Sequence, residues 1–154
     1  MRFAVPMLRG LVAAWLIAIV IVPTSASASA RQDRTEAAIL RSMNHVRARH
    51  HLPRLHVNRA LARAADAHSA AMLRSGQFSH GAMSARLRRY TRSRSIGENL
   101  AWMRGCNGST IVKMWLKSAP HRKIMLARRF RKVGVGRRSG SGLCMITADF
   151  ASAR

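Results

Sequence analysis

The sequence predicts an α+β domain, with helices through its first part and an antiparallel hairpin at its end. Two features carry that expectation. Apolar residues recur at helical spacing as far as Leu126, and from Lys132 onward the spacing changes to two. A third feature bounds it: 154 residues, 48% of them apolar, are enough for one core and exclude a disordered basic tail.

The chain opens on an address. Arg2 and Arg9 flank its start, Leu11 to Val22 carries no charge, and Ala28-Ser29-Ala30 stands ahead of Arg31. A positive start, an apolar stretch of about a dozen residues and an A-x-A exit mark residues 1–30 as a secretory signal peptide. A membrane anchor needs about 20 apolar residues, so the short run argues for cleavage. Residues 31–154 then form the exported domain, without a second apolar run and with the SAS stretch near the cleavage point as the only linker.

Asp33 to His50 reads as a first helix, with Ile39, Met43 and Val46 on one stripe and Asp33 with Glu36 as a capping box. Pro53 stops it. Asn58 caps a second helix through Ser75, with Leu61, Ala65, His68 and Met72 on one face and Gly76 as its stop. Ser84 to Tyr90 forms a short third helix. Gly108 or Ser109 opens a fourth, whose apolar face is Ile111, Val112, Trp115 and Leu116. Pro120 suits the first turn of a last helix, His121 to Leu126. Lys132 to Gly136 is a strand, Arg137 to Gly142 a turn, and Leu143 to Ala151 a strand with Cys144, Ile146, Ala148 and Phe150 on one side. Asn99 to Trp102 adds a third strand.

Charge and cysteine usage narrow the function classes. There are 28 Lys+Arg against 5 Asp+Glu, a net charge of +23, which rules out an acidic surface. Two cysteines exclude a cysteine-dense scaffold and a four-cysteine zinc site. In an oxidising compartment Cys106 and Cys144 are candidates for a disulfide; the alternative is two buried free thiols. No phosphate-binding loop, dinucleotide fingerprint, nucleophile elbow or H-E-x-x-H element occurs.

Five carboxylates leave few acid–base candidates. Asp33, Glu36 and Asp66 read as helix-surface residues, and Glu98 and Asp149 remain. Asp149 points away from the Cys144–Phe150 face, toward a surface pair with an arginine. His45, His50, His51 and His56 read as solvated, and His68 as core-facing, held by one backbone hydrogen bond. His80 and His121 sit beside small residues at a loop and a helix start, and Glu98 follows Gly97, where the backbone is free to turn. Spacing alone does not join these three. Trp102 and Trp115 read as core.

Taken in order, these residues resemble the CAP superfamily of cysteine-rich secretory proteins, antigen 5 and pathogenesis-related 1 proteins. Met43-Asn44-His45-Val46-Arg47 with His51-Leu52-Pro53-Arg54-Leu55 resembles its N-x-x-R and L-P-x-L opening. Ala64 to Ser69 looks like its second-helix signature, Phe78-Ser79-His80 its F-S-H, and Gly97-Glu98-Asn99 its G-E-N. Trp115 to Arg122 resembles W-x-x-S-P-x-H-R, and Val133 to Gly136 and Thr147 to Phe150 resemble the closing strands. The similarity runs from about residue 36 to 151, over nearly all of the exported part.

The resemblance implies a three-layer α-β-α sandwich. It also implies a cavity holding two histidines and two acidic side chains. His80, Glu98 and His121 align with three of these, and Ser118 stands where the second carboxylate belongs. His80, His121 and Glu98 are then a zinc set with an open position, or a hydrogen-bonded polar cluster in which Glu98 orients the imidazoles. Asn44 and Arg47 are structural ties.

Three function classes follow. The first is an exported, monomeric binding protein at the envelope or outside the cell, secreted or periplasmic. Its anion-binding patches for lipid head groups or envelope polyanions are Arg88, Arg89, Arg92 and Arg94, and Arg128, Arg129, Arg131 and Lys132. The second is a hydrolase, either zinc-dependent on His80, Glu98 and His121 or using an imidazole as base toward Ser79 or Ser118. The third is a nucleic-acid binder, expected to be non-specific because no recognition motif is present.

Overall fold

A computed structural model describes residues 25–153, with side chains from Arg34 onward. The signal-peptide reading falls mainly on residues 1–24, outside the described residues. Nine elements follow in order: α1 (Ser25–Arg49), β1 (His56–Val57), α2 (Arg59–Ser75), α3 (Met83–Arg88), β2 (Ile96–Arg104), α4 (Gly108–Lys117), α5 (Ala119–Met125), β3 (Phe130–Gly140) and β4 (Leu143–Ser152).

The strands form one mixed sheet in the order β1-β3-β4-β2. β3 and β4 are the hairpin, β2 pairs antiparallel to β4, and β1 pairs parallel to β3. One sheet face packs on α1, α4 and α5 through Ile39, Met43, Ile111, Trp115, Met125, Val133, Ile146 and Phe150. The other face packs on α2, where Leu61 and Ala64 meet Ala151, and Met72 meets Leu100 and Met145. This is the three-layer sandwich. It explains why both faces of β4 are buried, including Thr147 and Asp149 between its apolar neighbours.

Several local expectations hold. The Asn58 side chain accepts from the Leu61 N–H, and Gly76 closes α2 at φ 69°, a left-handed conformation that favours glycine. α4 opens at Gly108, with Asn107, a cap the sequence reading does not name, accepting from the Thr110 N–H, and Pro120 lies in the first turn of α5. Others are corrected. α1 begins at Ser25, so the SAS linker and the Asp33–Glu36 pair lie inside a helix and not at its start. The Glu36 carboxylate accepts instead from the Arg137 N–H of β3.

The hairpin turn is shorter than predicted. Arg137 and Arg138 stay in the ladder opposite Ile146 and Met145, and Arg138 is ion-paired to Asp66 of α2. Only Ser141 and Gly142, both at positive φ, make the reversal, as a two-residue hairpin loop requires. β1 is two residues long and exposed, so its own sequence carries little strand signal.

Cys106 and Cys144 are bonded, with Cα atoms 5.7 Å apart across a separation of 38 residues. The bond ties the segment before α4 to the start of β4. Replacing both cysteines by serine is expected to lower the unfolding free energy by roughly 3–4 kcal/mol. Urea melts of the variant, and of the wild type with and without reductant, check this.

Candidate functional site

The site lies at the N-terminal end of β2, where α3 and α5 approach the edge of the sheet. β2 register places Glu98 opposite Asp149 of β4. Both side chains are fully buried. Arg86 reaches over them from α3, its Nη2 donating to Glu98 Oε2 and, at 3.4 Å, to Asp149 Oδ1. The α2–α3 loop brings His80 in from the other side, its Nδ1 2.7 Å from Glu98 Oε1. His68 of α2 completes the group, its Nε2 3.0 Å from the Ser79 carbonyl and 3.9 Å from Glu98 Oε2.

His121 stands across the cleft on α5. Its Nδ1 is 2.8 Å from Ser118 Oγ, and its carbonyl accepts from Asn99 Nδ2 of β2 at 3.0 Å. His80, Glu98 and His121 thus line one cleft of about 370 Å³, together with Arg129 and the apolar Met83, Ile96, Ile124 and Phe130. The Arg129 guanidinium lies over the Phe130 ring, 4.9 Å from its centre. His80 is half exposed at the mouth, and Glu98 forms the floor.

Electrostatics follow from burial. Removal from water pushes the Glu98 carboxyl up, and Arg86 pulls it partly back. Burial, and then the Glu98 charge, push Asp149 up to about 8. One guanidinium compensates one carboxylate, so the buried trio favours a proton between Glu98 and Asp149 at neutral pH. Burial lowers His68, with Arg86 adding to it, and burial followed by the nearby His80 lowers His121. Both rings are therefore held toward the neutral form.

The donor set does not fit a resident metal. Glu98 has both oxygens engaged, one by His80 and one by Arg86. The guanidinium fills the place where a cation would balance the carboxylate. Ser118 adds no charge and is bonded to His121. Among the described residues no three His, Cys, Asp or Glu side chains are gathered to hold a metal ion.

Two members of this cluster escape sequence reasoning. Asp149 is not a surface ion pair but a fully buried partner of Arg86. Its signal was an acid on an inward position of β4, between Thr147 and Ala151 on the same face. Arg86 had no signal among so many arginines. His68 has the predicted backbone bond and also adjoins Glu98. Trp115 is core, donating from Nε1 to the Leu100 carbonyl at 2.8 Å, whereas Trp102 is half exposed on the edge strand β2, not core. Asn44 exchanges two hydrogen bonds with the Leu55 backbone, the structural tie expected of it.

The basic patches differ in freedom. Arg88, Arg89, Arg92 and Arg94 are exposed around the end of α3, with Arg88 donating to the Ser93 carbonyl. Arg128 and Arg129 are exposed, while Arg131 and Lys132 are half-buried and Lys132 donates to the Ala153 carbonyl.

A family model described as "CAP: Cysteine-rich secretory protein family" matches residues 40–150. The Bacillus subtilis protein called "Uncharacterized membrane protein YlbC" is 32% identical over 111 residues, 68% of this chain and 32% of its own length. An extracellular protein containing a SCP domain from Bacillus anthracis superposes with a TM-score of 0.75 at 29% identity, over 84% of this chain and 44% of that one. An outer surface protein from Borrelia burgdorferi superposes with a TM-score of 0.72 at 17% identity, over 79% of this chain and 94% of that one. The chain spans about a third of the curated relative's length and under half of the Bacillus anthracis protein's.

Proposed function

Because the chain belongs to the CAP, or cysteine-rich secretory protein, family, we propose that it is an exported binding protein that engages anionic envelope surfaces through its arginines. The observation that carries this reading is the exposed row Arg88, Arg89, Arg92 and Arg94 on a chain of net charge +23. Guanidinium groups match phosphate oxygens in pairs, and a field of one sign raises the local concentration of anionic partners. The signal-like residues 1–30 support export, as does the extracellular source of the Bacillus anthracis relative. Among the described residues no helix is long and apolar enough to cross a membrane.

A zinc hydrolase would need Glu98 as ligand or general base, and both its oxygens are held. The binding reading therefore has the better support.

The test is co-sedimentation with phosphatidylglycerol vesicles and with phosphatidylcholine vesicles. Binding is expected to the anionic vesicles alone, and to weaken by about tenfold or more between roughly 50 and 500 mM salt. Replacing Arg88, Arg89, Arg92 and Arg94 together by glutamine should abolish most of it. Duplex DNAs of unrelated sequence should bind alike, with the same salt response. Equal binding to both vesicle types, or a flat salt response, would overturn the reading.

A further inference from the structure

We propose that the cleft lined by His80, His121 and Arg129 is a site for a small oxyanion carrying an apolar group, and not for a divalent cation. The sign of the cleft decides this. Glu98 lies on its floor, but Arg86 compensates that charge from behind and His80 covers it from the mouth. What faces a ligand is then the permanent charge of Arg129 and two imidazoles. Each imidazole has its Nδ1 engaged, by Glu98 and by Ser118, which leaves Nε2 as the ring atom for a ligand. Ser118 Oγ lies 2.8 Å from His121 Nδ1, and a hydroxyl donating there would place the His121 proton on Nε2. A metal would meet a guanidinium-bound carboxylate; an oxyanion meets the Arg129 guanidinium.

The walls set the rest of the ligand. Met83, Ile96, Ile124 and Phe130 line the same cleft, whose volume of about 370 Å³ suits a group of ring size. Phe130 is braced on one side by Phe150, the ring centres 5.7 Å apart, and Arg129 lies over it. The ligand class is therefore a carboxylate or phosphate monoester with a compact apolar body. This inference does not rest on the basic-patch reading, because the groups at its centre lie within the cleft and not in the Arg88–Arg94 row.

The experiment is calorimetric and NMR titration of the full exported domain with phenyl phosphate, phenol, inorganic phosphate and zinc chloride. Phenyl phosphate should bind with a Kd of about 0.1–1 mM and shift the ring resonances of His80 and His121. Phenol and inorganic phosphate, each holding half of the recognition, should bind at least about tenfold more weakly. Arg129→Gln should weaken phenyl phosphate by about tenfold or more without changing the melting temperature, since Arg129 is exposed. Arg88→Gln/Arg89→Gln should leave it unchanged, which separates the cleft from the surface patch. Zinc should stay below about a tenth of an equivalent. Stoichiometric zinc, phenol binding as tightly as phenyl phosphate, or an Arg129→Gln variant indistinguishable from wild type would each overturn the proposal.

Discussion

Gly134→Ala is expected to cost more than about 4 kcal/mol, enough to leave the domain unfolded or insoluble at room temperature. A Cβ on Gly134 would overlap the Ala62 backbone nitrogen and the Leu61 carbonyl carbon of α2. These are backbone atoms of a helix, and no rotamer change removes them. α2 would have to lift from the sheet. Lifting it would expose Leu61, Ala64, Ala65 and Met72, all buried now. It would also break the Ser69 hydroxyl contacts to the Gly136 carbonyl and Thr147 Oγ1, at 3.0 and 2.9 Å. Gly136 has the same relation to Asp66 and Ala65 one turn along, so α2 is laid on a glycine groove in β3. The control is Gly140→Ala, whose nearest neighbour is the Leu73 side chain at 3.3 Å. That side chain is able to move, and the loss should stay under about 1 kcal/mol. Urea melts of both variants measure the difference, and a Gly134→Ala protein as stable as wild type would mean that α2 does not lie this close.

The same groove shows what was legible in the sequence. Val133-Gly134-Val135-Gly136 reads as a strand from its own residues, and it is one. The reason for its glycines is a helix some seventy residues earlier, and no local pattern carries that. The helices with strong stripes, α2 and α4, are read nearly to the residue, α2 because Asn58 and Gly76 act through their immediate neighbours and α4 because its apolar face starts within its first turn. β1 is invisible for the opposite reason: His56 and Val57 are a strand only because they pair with Lys132 and Val133. Trp102 misleads because it looks like core but stands exposed on an edge strand.

The site divides along the same line. His80, Glu98 and His121 are singled out by the resemblance to a family, and the fold lines one cleft with them. Arg86 and Asp149 belong to no motif. Asp149 meets Glu98 through cross-strand register, and Arg86 meets both through the packing of a six-residue helix. In a chain with 28 Lys+Arg, composition gives no reason to choose one arginine. Yet that arginine decides the sign of the cleft.

Arg47→Met should cost about 3–5 kcal/mol, although it replaces a buried charge with an apolar chain of similar length. Arg47 is wholly buried. Its guanidinium donates to four carbonyls: Pro53 at 2.9 Å, Met125 at 2.7 Å, Ala127 at 3.2 Å and Phe130 at 3.0 Å. Burial, and then the charge of Arg131, lower its pKa, so the ion is held by carbonyl dipoles at a cost in desolvation. Methionine removes the cost of the charge but takes the guanidinium from the Pro53, Met125 and Phe130 carbonyls, while the Ala127 carbonyl keeps the Phe130 N–H, and each stranded group costs about 1–3 kcal/mol. Lysine should rescue only part of this, because three donors on one nitrogen do not span carbonyls set around a planar fork. The damage should reach the cleft. The carbonyls of Met125, Ala127 and Phe130 belong to the corner between α5 and β3, which also carries Arg129 and, one turn earlier, His121. Loosening that corner lets His121 drift from Ser118. Phenyl phosphate binding should therefore weaken in Arg47→Lys under conditions where circular dichroism still reports a folded domain. Wild-type stability in Arg47→Lys would refute the fork, and unchanged affinity in a destabilised Arg47→Lys would show that the corner does not set the cleft.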